Sequence, residues 1–367
     1  MTGSSRTALT GAGGFLGFHT RALLHSLGQE VDAVLVGDAF DEDEALGRLD
    51  GADRLIHLAG VNRGTEAEVA SGNVRFAEQL VRILTRCKIP PSVVVYANSI
   101  QAGNGSVYGV AKEEAGRLLG EAADRLGVEF VDLKLPNLFG EHGKPFYNSV
   151  TATFCHLLAR GEQPQIQGDK LLSLMHAQHA AELAVGVRRL DSMGSCVVEL
   201  YVSELLSHLK TVADTYRDGT IPKLNTAFDR DIFNTYRSYL RPEDRVFGLS
   251  RHADKRGSFF EIVKSELSSG QTSFSTTVPG VTRGQHFHLR KIERFTVLSG
   301  AGEISLRRLF DDEVIRVKVD GLQPVAIDMP TMWAHSITNI GTDILYTAFW
   351  INELFDPESP DTFAEDV

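Results

Sequence analysis

Toward the C-terminal end of the chain, Gly280, His286, His288, Glu293 and Gly300 follow one another at short intervals, and Pro330-Thr331-Met332-Trp333-Ala334-His335-Ser336-Ile337-Thr338-Asn339 comes after them. Side chains alternate along a strand, so histidines at i and i+2 share a face and can grip one ion. Glu293 beyond a bend, and His335 from a later strand, complete a nitrogen-and-oxygen donor set suited to Zn, Fe, Mn or Ni. A single histidine in a β-rich segment, such as His179 or His252, is more often a packing or surface residue. The combination of His286, His288, Glu293 and His335 is what a metal requires and what packing does not.

A second group lies near the N-terminus. Thr10-Gly11-Ala12-Gly13-Gly14-Phe15-Leu16-Gly17 places glycines three residues apart, after a predicted strand and at the opening of a predicted helix. Such a turn lets the backbone approach a pyrophosphate seated at the helix N-terminus. Alone the pattern is weak, since any tight strand-to-helix turn can use glycine. Tyr108 and Lys112, at i and i+4, lie on one helical face. A free phenol titrates near about 10 and a nearby cation favours phenolate, so the pair is expected to serve as proton donor and acceptor near neutrality. A surface Tyr stacked on a Lys stem would give the same spacing. Asp38 lies about 20 residues beyond Gly17, where an acid accepts from a ribose 2′-OH and repels a 2′-phosphate. The alternative is that it belongs with the solvated acidic run ending at Glu44.

These residues need two kinds of scaffold. Val31 to Val36, Arg54 to Leu58, Val93 to Ala97 and Phe130 to Leu135 read as strands, separated by predicted helices over Thr20 to Leu27, Asn73 to Thr85 and Lys112 to Leu126. That alternation predicts a parallel sheet flanked by helices. From about Phe247 short alternating segments take over: Gln271 to Thr277, Arg294 to Leu298, Gly302 to Leu309, Val314 to Val319 and Ile344 to Trp350. Those predict an antiparallel barrel. The stretch from Arg237 through Arg241-Pro242-Glu243-Asp244 is polar and holds a helix-stopping proline, which sets the expected domains at 1–243 and 244–367.

Bulk properties agree with two globular domains. The 367 residues exceed what one core usually supports. A net charge of −11 argues against nucleic acid or an acidic membrane surface as partner. No apolar run approaches the roughly 20 residues of a membrane span, and the start of the chain does not read as a signal peptide. Cys87, Cys155 and Cys196 have neither metal nor disulfide-framework spacing, so a reducing cytoplasm is expected.

The glycine turn, Ser99 after a strand and the Tyr108-Lys112 pair resemble extended short-chain dehydrogenase/reductases, as does His57-Leu58-Ala59-Gly60, similar to that family's adenine-side segment. The resemblance implies a Rossmann-like domain binding NADPH or NADH through Gly11, Gly14, Phe15, Leu16, Gly17, Asp38, Leu58, Ala59, Gly60, Tyr108 and Lys112. It also implies that Ser99 and Tyr108 polarise and protonate a carbonyl while Lys112 orients the nicotinamide ribose. Basic residues stand near Asp38 in similar NADPH-using proteins, so Asp38 is a departure toward NADH. Leu135-Pro136-Asn137-Leu138-Phe139-Gly140 resembles the loop that builds a nucleotide-sugar site, bringing in Asn137 and, beyond it, Asn148. An Asn capping a turn is the plainer reading of either.

The histidine-rich motifs resemble those of cupins, jelly-roll β-barrels that hold metals. The first motif matches throughout. The second has Met332 where the family usually has Gly and lacks the usual upstream Gly spacing. Together with Gly60-Val61-Asn62-Arg63, Ser99-Ile100-Gln101, Tyr147 to Cys155, Asp254-Lys255-Arg256-Gly257-Ser258-Phe259 and Phe355-Asp356-Pro357, the whole chain resembles bifunctional capsular-polysaccharide enzymes of the CapF/WbjC type. That implies C3 epimerisation of a UDP-2-acetamido-2,6-dideoxy-4-hexulose and NAD(P)H-dependent reduction at C4. The product would be UDP-N-acetyl-L-talosamine, on the route to UDP-N-acetyl-L-fucosamine. It further implies a homodimer, a Zn or similar ion, and substrate contacts from Arg256 and Glu261 beside Asp254. Lys291 and Tyr346 are candidates by type for the acid and base at C3. Two other readings stand beside it: a metal-dependent oxygenase fused to a dehydrogenase, which oxygen consumption with ferrous ion would reveal, and a non-catalytic cofactor sensor, which intact Ser99, Tyr108 and Lys112 argue against.

Overall fold

The computed structural model describes residues 5–250, 252–254, 257–259, 262–263, 265 and 270–367. The chain divides into two compact units, residues 1–139 with 172–199 and residues 140–171 with 200–367.

In the first unit β1 (Arg6–Thr10), β2 (Glu30–Val34), β3 (Arg54–His57), β4 (Val93–Ser99) and β5 (Glu129–Leu135) form a sheet of order β2-β1-β3-β4-β5. Every pairing is parallel. Consecutive residues such as Ala8 and Leu9, Leu55 and Ile56, and Val94 and Val95 are all buried, because helices cover both faces. The helices are α1 (Phe15–Ser26), α2 (Glu42–Leu49), α3 (Glu66–Leu84) and α4 (Val107–Leu126). α1, α3 and α4 each start earlier than apolar periodicity alone suggests. Thr65 and Glu68 form a capping box for α3, and Ser106 caps α4 by accepting from Gly109 N at 3.0 Å. The acidic run opens a helix, with Asp41 capping α2. Strand order reverses between β1 and β3, and in such sheets a ligand crevice opens beyond the carboxyl ends of the strands at that point. Asn137, expected in a loop, instead opens β6 (Asn137–Phe139). After α5 (Val150–Ala159) of the second unit, β6 pairs in parallel with β7 (Leu171–His176). α6 (Ala177–Val185) and β8 (Val197–Tyr201) follow, β8 completing that small sheet.

The second unit holds α7 (Val202–Tyr216), α8 (Ala227–Arg237) and the remaining strands. They are β9 (Val246–Gly248), β10 (His252–Asp254), β11 (Gly257–Phe259), β12 (Gln271–Thr277), β13 (Thr282–Phe287) and β14 (Glu293–Ser299). β15 (Ala301–Arg308), β16 (Val314–Asp320), β17 (Val325–Met329), β18 (Trp333–Asn339), β19 (Leu345–Ile351) and β20 (Phe363–Ala364) complete the set. Two antiparallel sheets, β12-β19-β14-β17-β9 and β16-β15-β18-β13-β20, close on one core that includes Phe295, Val297, Ile304, Leu306, Ile327 and Ile337. The first already contains β9, just past the polar segment. A buried polar network joins α7 and α8 to this sheet. Asp328 takes Arg294 Nε at 2.6 Å and a second guanidinium nitrogen at 3.0 Å, and it accepts the Tyr216 hydroxyl. Arg237, at the start of the polar stretch read as the domain boundary, is buried and donates to Met329 O at 2.7 Å. Among the described residues no helix is long and apolar enough to cross a membrane.

Candidate functional site

The glycine turn is a cradle because side chains do not fit there. Gly11 has φ +69°, and a Cβ on it would lie 2.7 Å from Ala59 N. A Cβ on Gly17 would lie 2.1 Å from Gly11 O, so α1 can pass this close to the turn only with glycine at that position. Gly14 caps α1 without a side-chain acceptor, which leaves its first turn suited to an anion. Thr10, ending β1, ties in the next loop: its Oγ1 accepts from Leu58 N at 3.1 Å and Ala59 N at 3.2 Å, and lies 2.6 Å from His57 Nδ1. Asn73 on α3 then accepts from Val61 N at 3.1 Å and donates to Val61 O at 2.8 Å. Gly11, Gly14, Phe15, Leu16 and Gly17 thus come together with Leu58, Ala59 and Gly60, and the donor set fits a dinucleotide. Asp38 stands in a short 3-10 turn after β2, its side chain 95% exposed and paired with Arg75 at 2.8 Å.

Ser99 ends β4, Tyr108 sits in the first turn of α4 and Lys112 one turn later. The Ser99 hydroxyl accepts from Gln101 N at 3.1 Å and lies near enough to the Tyr108 phenol to favour its ionised form. Burial raises the Tyr108 phenol above its ordinary value, and Ser99 only partly offsets this. The expectation that Lys112 acidifies Tyr108 is therefore not met in this state. Lys112 itself is buried, which lowers its ammonium to about 7 against an opposing pull from Asp132. Its Nζ donates to Ala97 O at 2.6 Å and lies 4.1 Å from the centre of the Tyr96 ring. Tyr96 in turn stacks on His57 at 5.3 Å. Sequence reasoning passed over Tyr96 and Asp132, since an aromatic and an acid inside a strand carry no motif.

In the second unit His286, His288, Glu293 and His335 converge, with ligand atoms all within 4.8 Å of one another. Glu293 Oε2 is 3.0 Å from His288 Nε2, 3.0 Å from His335 Nε2 and 3.8 Å from His286 Nε2. Burial opposes the charge on Glu293, yet hydrogen bonds from the three imidazoles hold it well below the usual carboxylate range. Burial lowers His335 despite Glu293, whereas at His288 the acidic partners Glu293 and Asp361 outweigh burial and raise it. A bulge between Gly284 and His286, with Gln285 at φ +62°, turns the end of β13 toward Glu293, the first residue of β14. Met332, at the position where glycine was expected, has a left-handed backbone, φ +62°, with its side chain wholly buried and its N–H given to His288 O at 2.7 Å. Three imidazoles and one charged carboxylate around so small a volume fit a divalent ion.

Lys291 is buried beside this cluster in sequence; its Nζ donates to Pro360 O and lies 5.5 Å from the centre of the Phe355 ring. Tyr346 is set apart. Ile351 pairs with Glu293 across the sheet, whereas Tyr346 pairs with Ser299, roughly 17 Å farther along at strand rise. Asn137 donates to Ser173 O at 3.3 Å, and Asn148 is exposed. Arg256 and Glu261 lie outside the described residues.

A dinucleotide cradle with a Ser-Tyr-Lys constellation on a parallel sheet defines the class. Residues 7–192 match the NAD dependent epimerase/dehydratase family, and residues 252–363 match the polysaccharide biosynthesis C-terminal domain. The chain is 32% identical, over 98% of both lengths, to the UDP-2-acetamido-2,6-beta-L-arabino-hexul-4-ose reductase of Pseudomonas aeruginosa. The capsular polysaccharide assembling protein CapF of Staphylococcus aureus is similar in structure, with TM-score 0.61 and 34% identity over 99% of this chain and all of that one. A 126-residue stretch, 32% of this chain, is 25% identical to 83% of the spore coat polysaccharide biosynthesis protein SpsL of Bacillus subtilis. The chain belongs to the NAD-dependent epimerase/dehydratase family and, within it, to the bifunctional epimerase/reductases of the CapF type.

Proposed function

We propose that the chain converts a UDP-2-acetamido-2,6-dideoxy-4-hexulose in two steps, C3 epimerisation in the barrel and NAD(P)H-dependent reduction at C4 in the parallel-sheet unit. The product is UDP-N-acetyl-L-talosamine, leading toward UDP-N-acetyl-L-fucosamine. The observation that carries this reading is the convergence of Ser99 at the end of β4 with Tyr108 and Lys112 one turn apart on α4. Full-length likeness to a 4-ketosugar reductase supports it.

The C4 ketone serves both steps. It acidifies the C3 proton, so that a base can remove it and return it on the other face, and it accepts hydride. The bound nicotinamide supplies that hydride. Ser99 polarises the carbonyl and the Tyr108 phenol, kept protonated by burial, delivers the proton to the C4 oxygen. Lys112 holds the ribose. Asp38 accepts from the 2′-OH and tilts the choice toward NADH over NADPH. A divalent ion, Zn first, held by His286, His288, Glu293 and His335, supplies Lewis acidity or rigidity to the barrel. Lys291 is the acid or base at C3. Asn137 and Asn148 contact the sugar, and Arg256 with Glu261 the nucleotide side, Arg256 by its fork to the diphosphate. The sequence domains divide at 243/244, and two copies form a homodimer.

The test is reduction of the 4-ketosugar with NADH and NADPH, followed by mass spectrometry. Oxidation of either cofactor with formation of the reduced sugar is expected, and its absence with a folded preparation contradicts the proposal. Oxygen consumption by the iron-loaded protein would instead favour the oxygenase.

A further inference from the structure

The turn between β13 and β14 carries a second polar arrangement that the metal motif does not include. Asp361 is almost wholly buried, and its carboxylate faces the backbone of the turn. Oδ1 accepts from Leu289 N at 3.1 Å, and Oδ2 accepts from Arg290 N at 3.0 Å and Lys291 N at 2.8 Å. Three successive N–H groups thus converge on one charged side chain, the geometry of an anion nest. The Arg290 guanidinium lies 3.8 Å from Oδ1 and also contacts Glu353 and Ser359 at 3.0 Å. Asp361 adopts φ +43°, a left-handed conformation that Asp tolerates better than most residues. That conformation accompanies a contact between the Asp361 carbonyl oxygen and His288 Nδ1 at 2.5 Å.

A backbone carbonyl can only accept, so His288 must carry its hydrogen on Nδ1 and turn Nε2 toward Glu293. Ring nitrogens that bind metals are commonly fixed through such a bond on the other nitrogen. The carboxylate holds the turn, and the same residue's carbonyl sets the ring.

We propose that Asp361 is a positioning residue for the metal centre, its buried carboxylate locking the Leu289-Lys291 turn so that its carbonyl fixes His288 with Nε2 free for the ion. This rests on the metal reading of His286, His288, Glu293 and His335. It adds a residue 73 positions beyond His288 and outside both histidine-bearing motifs. It also places Lys291, anchored on neighbouring Pro360 O, under the same control.

The experiment compares wild type with Asp361→Asn, Asp361→Gly and Glu353→Gln. Asp361→Asn keeps the shape and tolerates the backbone but loses the charge and one acceptor. Asp361→Gly removes the side chain without straining φ. Glu353→Gln breaks an ion pair on Arg290 without touching His288 and serves as control. Two quantities are measured on metal-stripped protein whose fold is verified by circular dichroism. One is zinc affinity by competition with a chromophoric chelator. The other is the His288 tautomer, by long-range nitrogen-proton correlation at alkaline pH. Both Asp361 variants are expected to lose about 10- to 100-fold in zinc affinity and to mix the His288 tautomers, with Glu353→Gln unchanged in both. Folded Asp361 variants with wild-type affinity and an unmixed Nδ1–H tautomer overturn the proposal. If wild type itself binds no zinc, the metal reading fails. The tautomer measurement then still decides, because an unmixed tautomer in Asp361→Gly refutes the positioning role and a mixed one upholds it for the ring.

Discussion

Tyr108 and Lys112 are both displaced by burial, in opposite senses, and that displacement sets their readiness. A phenol raised by burial stays protonated at neutral pH and is a proton donor. We therefore expect Tyr108→Phe to lose NAD(P)H oxidation by about 100-fold or more, the usual scale of general acid catalysis, while solvent deuterium still enters C3 of the ketosugar. Near-normal reduction would remove Tyr108 from the proton-donor role. Lys112 gives a pH prediction whose sign is fixed. Its folded value, about 7, lies below the ordinary 10.5, so between these pH values the unfolded chain binds the extra proton and folding gains stability as pH rises. Lys112→Met has no such titration. Its stability advantage over wild type in urea unfolding should be largest near pH 7 and shrink toward pH 10. An advantage constant with pH would show that Lys112 is charged in the fold. The sequence made these residues legible as types at intervals. It did not make legible that burial raises the Tyr108 phenol or that Ala97 O and the Tyr96 ring receive the Lys112 ammonium, because those partners carry no motif.

Two turns show how elements hold these side chains. A methyl group at Gly17 would overlap Gly11 O at 2.1 Å. Gly17→Ala should therefore push α1 off the cradle and weaken NADH binding about tenfold or more, a loss of about 1.4 kcal/mol or beyond, readable by fluorescence titration. Unchanged affinity would mean the turn is not the cofactor's seat. At Met332 two effects compete. Relieving the left-handed backbone with glycine gains roughly 1–2 kcal/mol, but removing a wholly buried methionine side chain loses about 2–5 kcal/mol. Met332→Gly should lower the thermal midpoint. A rise would show that backbone strain, not packing, dominates that turn. Element types were readable from periodicity, and β12 was read over Gln271–Thr277, the bounds it has. Starts of helices were misread because caps such as Thr65 and Ser106 lie outside the apolar stripe. α7 and α8 were missed, and the burial of Arg237 was not legible because its partner Met329 is distant in sequence.

At the scale of the whole molecule, the two candidate sites belong to separate compact units. An ion bound only by the folded barrel stabilises it by mass action. Chelation should therefore lower the thermal midpoint, and His288→Ala should lower the metal content by elemental analysis. Stoichiometric metal after loss of any two of His286, His288, Glu293 and His335 would place the ion elsewhere. Two chemistries were legible from two separate motif sets, but which segments pack into each compact unit was not. Residues 140–171 and 200–243 pack with the barrel through contacts such as Thr331 Oγ1 to Glu141 at 2.9 Å and the Tyr216-Asp328-Arg294 network. The central claim is that one chain exchanges the C3 proton and reduces C4 of the same sugar. Its most direct test is to incubate the UDP-2-acetamido-2,6-dideoxy-4-hexulose in deuterated water, with and without reduced nicotinamide cofactor, and to follow product mass and cofactor absorbance. The account predicts deuterium at C3 without cofactor, and cofactor oxidation with formation of the alcohol when it is added. Reduction without any C3 exchange, or neither reaction with either cofactor, would contradict it.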